Sequence, residues 1–534
     1  MPPDSAASKP NDRTTIEYPP AAIFDELLTI DGARPYASAV HDWIQSSSIN
    51  ELRSLSDQAG SIMYRKGVTF TVYSDAANVE RIIPFDLVPR IITAQDWELI
   101  ERGCAQRITA LNAFIHDTYH DQKAIKQGIV PPEYIFTNPC YEPWMQGIDL
   151  ASQVYSAISG IDLIRDNEGN WLVLEDNLRT PSGVSYMLES RKLSEQLLSP
   201  VFDKYDVEPI SHYPELLRQT LAEISGLERP QIVVLTPGRF NSAYYEHAFL
   251  ASSMNVPLVH GYDLRVLNNK VFIMTVNGRV QVDVIYRRLD DDFLDPLAFD
   301  SSTILGVPGL MSAYRAGNVV ITNAPGTGIA DDKSVYPYVP DMIRYYLGEE
   351  PILQNVPTYQ CRDPKQLDHV LKNLSELVVK ETRGSGGYGM LIGPKSSKEQ
   401  IEEFARKIKA NPSDYIAQPT ISLSTCPTLV DEGVAPRHID LRPFILASGD
   451  KVRSVPGGLT RVAMKQGSLV VNSSQGGGVK DTWVLKSSPE HLSFGAEDAA
   501  STTGAAKSKA TNAPSKSGSA KQISPKTKSA GAAQ

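Results

Sequence analysis

The stretch Leu377–Gly393, LVVKETRGSGGYGMLIG, decides how this chain is read. Leu377–Lys380 is strand-like, Gly384–Gly389 is a tight glycine loop, and Met390–Ile392 reads as a second strand. Glycines accept positive φ and let backbone N–H groups come close to phosphate oxygens. Lys380 adds a point charge suited to an anionic group. Gly384, Gly386 and Gly389 match the dinucleotide pattern GxGxxG, but that pattern requires the loop to open a helix. Here it leads into a strand and then a proline. A Walker loop would close on Gly-Lys-Ser/Thr, and this one closes on Gly389-Met390. What remains is a glycine loop between antiparallel strands, covering a nucleotide or forming a plain hairpin tip.

Downstream, a helix over Ser397–Ala410 is followed by Tyr415–Pro419, YIAQP. This short apolar strand suits an interdomain connector whose backbone meets an adenine edge. About 200 residues upstream lies Gly160–Asn177, GIDLIRDNEGNWLVLEDN. It reads as a hairpin with Asp162 on one strand and Glu175 and Asn177 on the return. Strand residues two apart face the same side, so Glu175 and Asn177 point together, and a short turn brings Asp162 near them. Three oxygen ligands on one sheet face suit Mg²⁺, which takes a few carboxylates plus water and phosphate oxygens. A solvated surface hairpin would look alike by itself.

Protein kinases also carry a glycine loop between antiparallel strands, but their HRD and DFG signatures are absent. Asp162 with Glu175-x-Asn177 resembles the magnesium-binding end of ATP-grasp ligases, and Lys380 with GSGGYG and YIAQP resembles their ATP-binding beginning. In the usual order the lysine and glycine loop come first; here the acidic hairpin does. That order is similar to the circularly permuted ATP-grasp proteins, themselves similar to the synthetase part of glutathionylspermidine synthetase. The likeness runs through YEPWMQGIDL, EDNLRTPSGVSY, NAPGTGIADDKSVYPYVP, HIDLRPF, GGLTRVA and NSSQGGGVKDTW, nearly the whole chain between its tails. No Cys–His amidase domain is found.

The resemblance implies an α+β and α/β multidomain chain, an ATP-grasp fold in circularly permuted order with a small strand–helix–strand, pre-ATP-grasp-like domain. It implies that Lys380 and Lys333 contact ATP phosphates and that Gly384, Ser385, Gly386, Gly387, Tyr388 and Gly389 cover them. Ala417 and Gln418 would meet the adenine. Asp162, Glu175 and Asn177 would hold one or two Mg²⁺, and Arg442, Arg461 and Arg179 would stabilise the transferring phosphoryl group. The implied activity is an ATP- and Mg-dependent carboxylate–amine ligase, working through an acyl phosphate on a peptide or amino-acid-like substrate. The alternatives are a phosphotransferase with the same grip and a non-catalytic nucleotide-binding scaffold. Blander roles exist for the last four cations: a solvated Lys333, an Arg442 paired with Asp440, an Arg461 capping the Gly-Gly turn, an Arg179 paired with a nearby acid.

Bulk properties agree. A chain of 534 residues fits about three to four domains. The net charge is -10, and residues 501–534 hold six lysines and no acid, leaving about -16 on the rest. Such an acidic body repels a nucleic-acid backbone. No apolar run reaches the ~18 residues of a membrane span, no secretory signal opens the chain, and Cys104, Cys140, Cys361 and Cys426 form no pair pattern. A cytoplasmic protein is expected. The organisation expected is a disordered arm (1–20), an N-terminal block carrying the Mg hairpin (21–215), and a pre-ATP-grasp-like block (216–345). An ATP-binding block (346–486) and a disordered Lys/Ser/Ala-rich tail (487–534) complete it.

Lesser signals are a helix from about Asp96 to Gln122, a strand–helix–strand unit over Ile232–Val259, and a hairpin at Asn277-Gly278. His116 and His120 are spaced like a zincin pair, but Asp117 stands where Glu is needed, so they read as polar helix residues. Thr236-Pro-Gly238 could bind an anion at a helix start, or simply connect strand to helix. Asp290–Asp292 reads as a solvated acidic turn.

Overall fold

Strand alternation in the acidic hairpin sets the centre of the architecture. In the computed structural model, residues 23–74, 77–384, 389–472 and 475–487 are described. The expected N-terminal arm and nearly all of the expected tail lie outside them, as do Ser385, Gly386, Gly387 and Tyr388. Ile158–Arg165 and Trp171–Asn177 pair antiparallel with Gly160 opposite Asn177 and Asp162 opposite Glu175; a bulge follows Asp162. This hairpin belongs to a ten-stranded sheet. Gln354–Asn355 flanks it on one side, and Gly433–Arg442, Leu459–Val462, Gly478–Val484 and Phe85–Ile92 follow on the other. The last third of the chain therefore returns to strands laid down in the first.

Phe85–Ile92 is buried at all eight positions although it contains Asp86 and Arg90. Burying charge is costly unless it is paired. Arg90 donates to both oxygens of Glu26 at 2.7 and 2.5 Å and to the Asp440 carbonyl at 3.0 Å, while Lys480 pairs with Asp86. The predicted long helix spans Ala94–Tyr119, capped by the Thr93 side chain. Cys104, Ile108, Leu111, Ile115 and Tyr119 are all buried. It stops short of Gln122 because the Asp117 carboxylate takes the Lys123 and Ala124 N–H groups, turning the chain.

The strand–helix–strand unit forms as expected. Ile232–Leu235 lies parallel to Leu258–Val259, with the helix Tyr244–Ser253 between them in sequence. Val284–Arg287 and Val320–Thr322 extend this parallel sheet to four strands. Asn277-Gly278 turns a hairpin in a separate three-stranded sheet, with Gly278 at φ +111°.

A second, smaller four-stranded antiparallel sheet carries the opening stretch. Its order is Tyr359–Gln360, Tyr415–Pro419, Leu377–Glu381, Leu391–Ile392. The helices Pro364–Lys372 and Lys398–Ala410 pack on it around a core of its own, containing Val370, Leu377, Val379, Leu391 and Ile408. Asp363 and Ser397 cap these helices through their side chains. The four cysteines are unpaired, and among the described residues no helix is long and apolar enough to cross a membrane.

Candidate functional site

The acidic hairpin and the small sheet face one cavity of about 640 Å³. Asp162, Glu175 and Asn177 line it from the large sheet; Lys380, Gly384 and Gln418 line it from the small one. Alternation explains the hairpin's two faces. Asp176, between Glu175 and Asn177, points away and is held by Arg107 of the long helix through two bonds of 2.6 Å. The turn after Asn177 is gripped from the parallel-sheet region. Asn323 donates to the carbonyls of Ile158 and Leu178 at 2.6 and 2.7 Å, and Asp331 accepts from the Leu178 N–H at 2.6 Å.

Within the cavity, charge is arranged as a chain of ion pairs. Arg442 meets Asp162 with Nε at 2.5 Å and Nη2 at 2.8 Å, and Arg461 reaches the same carboxylate at 2.7 Å while also pairing with Asp440. Burial would push the Asp162 carboxyl up, but Arg442 and Arg461 outweigh it and hold it well below the usual range. Asp440, buried behind Arg461 and beside Asp162, is pushed up by burial. The bland reading of Arg442 is thereby corrected: its partner is Asp162, and Asp440 belongs to Arg461. Arg461 is no turn cap but a buried bridge between two acids. Arg179 does pair with a nearby acid, Asp331, at 2.8 Å, and still lines the cavity. Lys333 is not solvated. Its ammonium lies 3.2 Å from Glu175 and donates to the Gly384 carbonyl at 2.6 Å.

Lys380 differs. Arg179, Arg288, Lys333, Arg383, Arg442 and Arg461 each have a carboxylate within 4 Å. Lys380 alone of the cavity's cations has no hydrogen bond or ion pair among the described residues. Desolvation pulls its pKa down to about 8; Glu175 opposes this, and Lys333 and Arg461 reinforce it. At the described end of the glycine loop, Gly389 has φ +66°, and a Cβ there would meet the Glu381 carboxylate at 2.7 Å. Only glycine fits.

The structure does not bring every candidate to the cavity. Ala417 lies in the small sheet's core, paired with both Tyr359 and Val379, and does not line it. Gln418 does, its amide donating to Thr358 Oγ1 at 3.0 Å. His116 and His120 stack on each other, bonded to Tyr155 and Asp149 respectively. Asp291 is not solvated: it is buried, paired with Arg287 at 2.7 Å and accepting from the Gly326 N–H. The sequence reading missed Asp440, Asp331, Asn323 and Arg288. Asp440 was within reach, since it sits two residues from Arg442 on one strand and so faces the same side. Asn323 and Asp331 lie in the stretch NAPGTGIADDKSVYPYVP, which carried the likeness but no residue-level role, and Arg288 carried no local signal.

A lysine and glycine loop on one sheet, facing acids and arginines on another across a common cavity, is the arrangement of an ATP-grasp fold. The chain belongs to the circularly permuted ATP-grasp type 2 family, whose model matches residues 89–463. An uncharacterized protein of Synechocystis sp. is 49% identical over 89% of this chain and 99% of its own length. One of Mycobacterium tuberculosis is 45% identical over 87% of this chain and 84% of its own. A Frankia alni protein whose name proposes a glutamate–cysteine ligase is 43% identical over 88% of this chain, which covers 54% of that protein. Among solved structures, a glutathione synthetase-like effector from Globodera pallida aligns over 82% of this chain and 98% of its own, with a TM-score of 0.50 and 11% identity. That likeness concerns the fold alone.

Proposed function

We propose that the chain is an ATP- and Mg²⁺-dependent carboxylate–amine ligase that works through an acyl phosphate on an amino-acid-like or peptide substrate. The observation that carries this reading is Lys380, a desolvated cation without a carboxylate partner, opposite Glu175 and Asn177 across one cavity. A half-buried charge kept unpaired is a cost to folding that an incoming anion relieves. Lys380 and Lys333 take the phosphates from two sides, and the loop from Gly384 to Gly389, with Ser385, Gly386, Gly387 and Tyr388, covers them. Val356, Val378, Ile392 and Leu423 line the cavity together with Gln418 and would bound the adenine.

The donor set fits a hard cation. Glu175 Oε2 and Asn177 Oδ1 have no hydrogen-bond partner among the described residues, and both are oxygens of the kind Mg²⁺ takes. Asp162, held by Arg442 and Arg461, would join Glu175 and Asn177 as a metal ligand. Bound there, Mg²⁺ would neutralise phosphate charge. A substrate carboxylate oxygen attacks the γ-phosphorus; the new O–P bond forms as the bridging bond to ADP breaks. The amine nitrogen then attacks the acyl carbon, the C–N bond forms, and phosphate leaves carrying the amine's proton. Arg442, Arg461 and Arg179 stabilise the charge that develops on the phosphoryl oxygens. The Frankia alni name agrees with ligation, but nearly half of that protein lies outside the match, so its substrates are not carried over.

The test is ADP release from the full chain across acids, peptides and amines. Release that needs both a carboxylate and an amine, and that Glu175→Gln abolishes, supports the reading. Release with a carboxylate-free acceptor alone would make it a phosphotransferase.

A further inference from the structure

The cavity extends beyond the phosphate end to the start of the Tyr244–Ser253 helix, where Asn241, Ser242, Ala243 and His247 line it. That helix has ten residues, and no side chain caps its first turn. Its leading N–H groups carry partial positive charge. His247 is 1% exposed. Its Nδ1 lies 2.9 Å from Thr236 Oγ1, and that oxygen already accepts the Gly238 N–H at 3.1 Å. The Thr236 hydroxyl hydrogen has no other acceptor among the described residues, so it is donated to Nδ1. This leaves the ring proton on Nε2, which has no partner among the described residues. Burial, with Arg288 adding to it, pulls the His247 pKa down to about 2, so the ring is neutral and Nε2–H is a donor throughout the ordinary pH range.

Arg288 also lines this end, buried and tied to the protein. It donates to the Pro181 carbonyl at 2.8 Å, to Tyr286 Oη at 3.0 Å, to Ser182 Oγ and to Glu246 at 3.3 Å. Glu246 is the nearby acid, and it is spent: its other oxygen accepts from the Gly183 and Ser185 N–H groups and the Ser185 hydroxyl. What faces the cavity is a pair of donors, the His247 Nε2–H and the Ser242 hydroxyl, at a helix start whose Ala243 and Tyr244 N–H groups are taken by Asn241.

We infer that this end of the cavity is a subsite for a substrate carboxylate that does not react, held by His247 and Ser242 at the start of the Tyr244–Ser253 helix. It follows that at least one substrate is an amino acid or peptide that keeps a free carboxylate through the reaction. The inference rests on the ligase reading for what the carboxylate belongs to, not for its binding.

The experiment measures binding of short γ-glutamyl and α-linked dipeptides, each as the free acid and as the C-terminal amide, to the full chain by calorimetry. ADP release is followed in parallel. Free acids are expected to bind at least about tenfold more tightly than their amides. His247→Phe should erase that preference, and His247→Gln, which retains a donor, should restore part of it. Because His247 is buried, Ser242→Asp is the second variant. An acid beside a helix N-terminus favours folding while repelling a bound carboxylate, so lost preference there is not lost structure. Equal binding of acids and amides, failure of every free acid to bind at millimolar concentration, or preference surviving both His247→Phe and Ser242→Asp overturns the subsite. ADP release that never depends on a carboxylate and an amine defeats the ligase reading instead, and leaves a measured acid preference standing.

Discussion

The hairpin Gly160–Asn177 and the small sheet around Lys380 face the same cavity and are built on opposite terms. In the hairpin almost every charge is committed: Asp162 to two arginines, Asp176 to Arg107, Glu175 to Lys333. Its strands share the main hydrophobic core through Ile161, Leu163 and Val173. The small sheet keeps a separate core and is joined in the chain to the large one through the short segments before Tyr359 and after Pro419. Its principal cation is left without a partner. Rigidity thus goes where oxygens must be aimed, and a separable unit with an unsatisfied charge goes where an anion must enter.

The largest effect should come from breaking the committed side. Arg107→Leu leaves the Asp176 carboxylate buried and unpaired, which costs about 3–5 kcal/mol. Denaturant unfolding should show the unfolding free energy falling by that amount, read as a lower midpoint at unchanged slope. A loss under about 1 kcal/mol would mean the hairpin is not anchored from behind.

Lys380→Met attacks the uncommitted side. Turnover should fall about 10²- to 10³-fold, roughly 3–4 kcal/mol of lost transition-state stabilisation. The empty protein should melt no lower, since a desolvated cation has been replaced by an apolar chain of similar length. Activity lost together with stability would place Lys380 in the structure rather than the chemistry. Ile408→Ala, inside the small core, should cost about 2 kcal/mol. Hydrogen exchange would show faster opening confined to residues 359–419, with the large sheet unchanged. Uniform opening would merge the two regions into one cooperative unit.

How much of this the sequence disclosed follows from the range over which each feature is encoded. The hairpin, the long helix and the strands flanking the glycine loop were legible because period-two and helical patterning are local. Lys380, Glu175 and Asn177 were legible because motif spacing survives permutation. Pairing choices were not. Arg442 takes Asp162, 280 residues away, in preference to Asp440 two positions off, because the register between Leu441 and Leu163 sets them face to face. Arg461 then takes Asp440 from the neighbouring strand, directly opposite it in register. Ala417 failed to reach the cavity for a similar reason. As a residue of a strand with a partner on both sides, its backbone groups are taken up by the sheet. His247 gave no signal and Asn323 no role of its own, since their meaning arises only when the parallel sheet docks on the hairpin.

The smallest expected effect is one of pH, and it separates the two regions by sign. Lys380 is held near 8 in the folded, empty protein and would titrate near its ordinary value, about 10.4, when unfolded. Between those values the unfolded chain binds more protons than the native one, so this lysine makes the empty protein gain stability as pH rises from 8 toward 10. Nucleotide binding should run the other way. An anion at Lys380 favours the ammonium, so affinity for ATP is full below pH 8 and weakens by up to about tenfold per pH unit above it. Calorimetric titration with ATP between pH 7 and 9.5, beside thermal melts of the empty protein, reads both trends. Lys380→Met should flatten them together. The committed pairs predict no such slope here, because Asp162 titrates far below this window. A falling affinity that persists in Lys380→Met would assign the grip on the phosphates to another cation.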